Sequence, residues 1–89
     1  MTQKFSLGKV VATRGIHELL DCSATSVFLT RHVSGDWGDL CEEDKALNAA
    51  ALLSGQDRIF SSYSTPLGKI WIITEHDRSL TTVLLPAEY

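Results

Sequence analysis

The sequence predicts one α+β domain, in which a helical N-terminal half packs on a C-terminal three-stranded antiparallel sheet. Three observations carry that expectation. The chain has 89 residues, the size of a single domain with one modest core. Before Gly55 the apolar residues recur at helical spacing, ending in a stretch rich in Ala and Leu. After Gly55 the runs are dominated by Ile, Tyr, Trp, Val and Thr, which suit a pleated surface, and turn-forming segments separate them.

Lys9 to Ala12 is a short extended apolar piece, and Thr13 supplies the side-chain oxygen of an N-cap. A helix over 14–22 follows. Ile16, Leu19 and Leu20 form its apolar stripe, and His17, Glu18 and Asp21 lie on the wetter side. Ser23 reads as the cap of a second helix over 24–33, with Val27, Phe28 and the stem of Arg31 on one face and Gly35 ending it. The glycines and aspartates of Gly35 to Leu40 suit a structured turn. Glu42, Glu43 and Asp44 then complement the positive end of a third helix over 42–54, which Gly55 stops.

The strands are expected at 58–64, 69–75 and 79–85, joined by Thr65-Pro66-Leu67-Gly68 and by Glu75 to Arg78, with Pro86 ending the last. Short connections make the pairing antiparallel. The middle strand is apolar on both sides, with Ile70 and Ile72 on one face and Trp71 and Ile73 on the other, so it should be central. The helices cover one face. The N-terminal segment is expected to fold over the Trp71 face, and failing that the face is an interaction surface.

Charge narrows the function. A net charge of −3, with Lys and Arg scattered along the chain, argues against direct binding of DNA. No apolar run approaches the ~20 residues of a membrane span, and none follows Met1 as a secretory leader would, so a cytoplasmic protein is expected. Cys22 and Cys41 form no CxxC motif and are expected to be reduced thiols, with no required disulfide.

The acids Asp36, Asp39, Glu42, Glu43 and Asp44, with His32 nearby, are the obvious metal candidate, yet they lack the alternate-position oxygens and twelfth-position Glu of a calcium loop. Capping and solvation explain them, so no metal and no cofactor is expected. His32 near a helix end simply suits the negative end of the dipole. Cys41 is the best nucleophile candidate, but the acids beside it disfavour a thiolate, and no catalytic motif occurs. No catalytic residue is assigned, and an enzyme is not expected.

Two polar tips mounted on rigid elements remain, and they are the expected partner-binding residues: Asp36, Trp37, Asp39, Glu42 and Glu43 in one, and Glu75, Asp77 and Arg78 in the other. Trp37 between its glycines is either a core plug or an interface anchor. A domain this small also commonly gains stability from a partner or from a second copy, which makes a homodimer an open expectation.

The strings R-H-V-S-G-D-W-G-D-L at 31–40 and I-T-E-H-D-R-S-L-T-T-V-L-L-P-A-E-Y at 73–89 resemble small uncharacterised proteins of bacterial plasmids and integrative elements. The likeness runs over almost the whole chain and brings no catalytic residues with it. It implies a non-enzymatic protein-binding module of a mobile genetic element. By analogy with other small acidic proteins of such elements, that module would inhibit host defence, as anti-CRISPR and anti-restriction proteins do, by masking the basic surface of a nucleic-acid-processing complex. A regulator of transfer or maintenance of the element is the alternative, and a small enzyme the third class.

Overall fold

In a computed structural model, which describes residues 3–89 apart from the side chain of Cys22, the elements run β1 (Lys9–Ala12), α1 (Arg14–Leu19), α2 (Cys22–Val33), α3 (Glu42–Ser54), β2 (Ile59–Thr65), β3 (Gly68–Thr74) and β4 (Leu80–Leu84), followed by a 3-10 turn at Pro86–Glu88. The strands join in the order β1-β4-β3-β2. β2, β3 and β4 form the expected antiparallel meander, with β3 between its neighbours. The sheet is nevertheless four-stranded and mixed, because Lys9–Ala12 pairs parallel with β4, Lys9 opposite Leu80 and Ala12 opposite Val83. The expected three-stranded antiparallel sheet is therefore too small, and the helices lie mid-chain, after the first strand. A parallel partner needs a long crossover, so it lies far along the chain from the piece it pairs with.

The helix boundaries have local causes. α1 stops at Leu19 because Leu20 turns extended (φ −127°, ψ 144°), short of the expected end at 22. Asp21, not Ser23, caps α2: its Oδ1 accepts from the Ala24 amide at 2.8 Å, so the helix begins at Cys22. α3 has the expected bounds, and Gly55 ends it in the left-handed region at φ 69°.

Alternation along the strands sorts the side chains to two faces. Toward the helices point Tyr63, Ile70, Ile72 and Val83, which are buried with Ile16 and receive Ala12, Leu20, Phe28 and Leu29. A second cluster of Trp37, Ala51 and Ile59, with Phe5, Leu40 and Leu52, joins α3 to β2. Phe5 belongs to that cluster, its ring 6.2 Å from Trp37 and 5.2 Å from His32. The N-terminal segment thus packs against the second cluster and not over Trp71, because Lys4 hydrogen-bonds the Val33 carbonyl at the end of α2.

The outer edge of β2 is closed by side chain and loop. The Asn48 amide donates to the Phe60 carbonyl at 2.6 Å and accepts from the Phe60 amide at 3.1 Å, as a neighbouring strand would. Two residues on, the Asp39 amide donates to the Ser62 carbonyl at 2.7 Å, and the Ser62 amide donates to the Trp37 carbonyl at 3.2 Å. Gly38 lies between them at φ 72°, where a Cβ would collide with the Ser62 carbonyl.

Candidate protein-binding face

The face of the sheet turned away from the helices carries the most exposed aromatic surface. Register places Ser62, Trp71 and Leu84 in one row across it, and Phe60, Ile73 and Thr82 in the next. Ile73 and Leu84 are buried, while Phe60 and Trp71 are only half-buried. Cover comes from the C-terminal end: after Pro86 opens the 3-10 turn, Tyr89 lays its ring 5.8 Å from Trp71, which in turn stands edge-on to Phe60 at 5.1 Å. Tyr89 itself stays 71% exposed. The result is a ladder of three rings, with Leu47 of α3 exposed beside Phe60.

Glu88 holds the 3-10 turn in place. Its carboxylate accepts from the Thr13 hydroxyl at 2.5 Å and from the Gly15 and Leu85 amides at 3.0 Å each, which pulls it below the usual carboxylate range. Thr13 is therefore the N-cap of α1 by position, but its hydroxyl donates to Glu88 and does not bond the helix's own amides. A carboxylate supplied from the other end of the chain does that capping work.

Arg58 divides the face into two shallow depressions. On one side lie Asp44, Leu47 and Phe60, and on the other Ile73, Glu75, Leu84 and Tyr89. Its guanidinium reaches the Tyr89 hydroxyl and Glu75, both at 3.4 Å. Those contacts, the Tyr89 bond first, hold Arg58 above its ordinary value. Asp44, Glu75 and Glu88 border the depressions against this single base, so the rim is acidic.

The expected partner-binding residues do not form one patch. Asp36, Trp37 and Asp39 lie beside the Tyr63–Ser64 end of β2, whereas Glu75, Asp77 and Arg78 lie at its Arg58 end. Trp37 is buried in the second cluster and is a core plug. Asp36 is exposed and pairs with Arg31 (2.7 Å), which holds its carboxyl below the usual range. Asp39 accepts from the Ser64 hydroxyl, and Glu42 and Glu43 project from the first turn of α3, Glu42 pairing with Lys45 at 3.8 Å. In the other tip, Asp77 folds back onto the Ser79 amide and hydroxyl. Arg78 points inward from a left-handed backbone (φ 61°) and donates to the carbonyls of Ala51 at 3.1 Å and Asp57 at 2.6 Å, tying the end of α3 to the hairpin. Glu75 borders the aromatic face, and its Arg58 partner was not among the expected residues.

The helix-side face hides a polar array that sequence reasoning missed. His32 is fully buried, with Nδ1 2.5 Å from the Ser61 hydroxyl and Nε2 2.9 Å from the Thr74 hydroxyl. Thr74 meets Thr81 at 2.8 Å, and Thr81 donates to the Leu7 carbonyl at 2.7 Å. A carbonyl only accepts, and with a neutral ring this fixes every proton along the chain. Thr81 uses its proton on Leu7, Thr74 donates to Thr81, His32 donates from Nε2, and Ser61 donates to Nδ1. The ring is neutral, and burial pushes its pKa down to about 3. A charge–dipole role for His32 is thereby replaced by a hydrogen-bonding one. Ser61 next to an imidazole has the elements of a nucleophile and base, but it is buried and meets no substrate from solvent.

A polar residue on the inward face of an apolar element is the signal for such residues: Asn48 interrupts the buried side of α3, and Ser61, Thr74 and Thr81 share strand parity with Ile59, Ile72 and Val83. Cys41 precedes α3 with an exposed free thiol and no capping bond, while the expectation for the Cys22 thiol lies outside the described residues. Among the described residues, no three of His, Cys, Asp and Glu gather to hold a metal ion, and no helix is long and apolar enough to cross a membrane. No protein-family model, curated protein or solved structure matches this chain.

Proposed function

We propose that the chain is a non-enzymatic protein-binding module that receives a basic protein surface on the aromatic face of its sheet. The carrying observation is the ladder of Phe60, Trp71 and Tyr89, left partly open on the face of the sheet turned away from the helices. Aromatic rings of this kind, rigid and framed by polar groups, supply the buried centre of many protein interfaces. The acidic rim of Asp44, Glu75 and Glu88 suits a basic partner and would repel nucleic acid. The resemblance to small proteins of plasmids and integrative elements supports a partner among host-defence or nucleic-acid-processing complexes, whose basic surface the bound module would mask.

Affinity capture from a bacterial lysate with the native chain, Tyr89→Ala and Leu53→Ala tests this reading. Leu53 is more exposed than Tyr89 but projects about a third of a turn around α3 from Leu47, away from the face. A basic partner is expected with the native chain and Leu53→Ala, and is lost with Tyr89→Ala. Capture that Tyr89→Ala leaves intact overturns the assignment of the face. Multiple turnover of a small molecule with no partner recovered overturns the binding class altogether.

A further inference from the structure

The two edges of the sheet are finished differently. The outer edge of β2 is closed at Phe60 and Ser62, whereas among the described residues no strand lies beyond β1. The Lys9 amide donates to the Ser79 carbonyl and the Thr13 amide to the Val83 carbonyl, both at 3.0 Å, so the odd-numbered residues of β1 bond toward β4. By alternation, Val10 and Ala12 direct their N–H and C=O groups outward, away from β4. The side chain of Val10 is 42% exposed on the helix-side face, in register with Thr81.

Beside this open edge lies a hollow of about 200 Å³ between α1 and α2. Its walls are Ala12, Ile16, Leu20 and Leu29, with His17 and Asp21 at the rim. An apolar hollow next to an exposed apolar side chain and an open row of backbone groups is the complement of itself.

We propose that β1 pairs antiparallel with β1 of a second copy about a two-fold axis at Val11. In that register Val10 lies opposite Ala12 of the second copy, and each such pair exchanges two backbone hydrogen bonds. The pairing places Val10 of each chain on the helix side next to the other chain's Ala12, over the hollow that Ala12 lines. Lys9 then faces Thr13 and meets no like charge, and the neighbouring Arg14 and Glu18 already neutralise each other at 3.2 Å. A perpendicular two-fold keeps both aromatic faces on the same side of a continuous sheet, leaving the surface described under Proposed function free in each copy. A four-residue edge gives an interface below the standard size, so the dimer is weak and reversible.

Sedimentation equilibrium from about 10 µM to about 1 mM, the range in which an interface of this size associates, reads the assembly state. Amide exchange at Val10 and Ala12 reads the edge itself. The native chain is expected to shift from monomer to dimer across the range, with both amides becoming protected as concentration rises. Val10→Asp places a charge at the hollow without touching the bonds to β4, and is expected to weaken association at least tenfold while the thermal transition of the monomer is retained. Tyr89→Ala is expected to leave the dimer unchanged. A chain that stays monomeric with fast exchange at both amides overturns the proposal. So does a dimer that Val10→Asp leaves intact or that Tyr89→Ala dissolves.

Discussion

The same three antiparallel strands present two opposite surfaces. On the helix side, every polar group drawn inward is matched: His32 joins Ser61, Thr74 and Thr81, and among the described residues no buried side-chain nitrogen or oxygen lacks a partner. On the other side, apolar rings stand half-open with a short C-terminal turn as their cover. The contrast teaches that apolar content alone does not tell core from surface here. The inner face is rich in hydroxyls and yet sealed, while the outer one is aromatic and yet accessible. Hydrogen-bond closure marks the side that holds the fold together.

Breaking the inner face should cost most. His32→Ala removes a buried ring, strands the Ser61 hydroxyl and takes away the N–H that Thr74 accepts, so it is expected to lower unfolding free energy by about 3–4 kcal/mol in urea titrations. A loss under about 1 kcal/mol would mean that the array does not hold α2 to the sheet.

Asn48→Ala comes next, because it leaves the Phe60 amide and carbonyl without their partner at the border between α3 and the outer face. The expected loss is about 2–3 kcal/mol, with increased aggregation as the β2 edge opens. Light scattering during the same titration checks the second part.

Acidification sharpens the comparison without a mutation. An imidazole held near 3 in the fold, against its ordinary 6.5, gains a proton on unfolding. Its contribution is therefore full above about pH 6.5 and declines as the pH falls toward 3, by about 1.4 kcal/mol per pH unit. Stability at pH 5 should then lie about 2 kcal/mol below that at pH 7. The carboxylates held low, Asp36, Asp77 and Glu88, lose their contributions only at more acid pH, so this window isolates His32. A flat profile between pH 7 and 5 would contradict a neutral buried ring.

The smallest effect on stability belongs to the outer face. Tyr89→Ala is expected to change unfolding free energy by less than about 1 kcal/mol, since the ring is mostly exposed, while partner affinity falls tenfold or more. Equal losses in both measurements would make Tyr89 a structural lid and remove the distinction between the faces.

Much of this fold was legible in local chemistry. The three antiparallel strands and α3 lie within a residue of where alternation, Pro66-Leu67-Gly68 and Gly55 put them, because each of those signals acts over a few residues. β1 was visible as an extended piece but not as a strand, since nothing near Lys9 reveals a partner at Leu80. The open side of the sheet was legible in the parity of Trp71, whereas Phe60 and Tyr89 completed it only through register and the final turn. Trp37 and Arg78 show the converse limit. Turn chemistry located both correctly, but whether a side chain at a turn points out or in depends on what the rest of the chain brings beneath it.

The parallel pairing of β1 with β4 also fixes an order of events. As the chain leaves the ribosome, the first strand has no place in the sheet until β4, the strand it pairs with, has been made. The Leu7–Thr81 and Thr13–Glu88 bonds wait equally long. The meander and α3 can form from nearby contacts, but locking the front of the molecule demands closure of nearly the whole polypeptide. Contacts of that span slow folding. Until then Val10 and Val11 remain an apolar segment without a neighbour, and this is the interval in which the nascent protein is most open to wrong pairing.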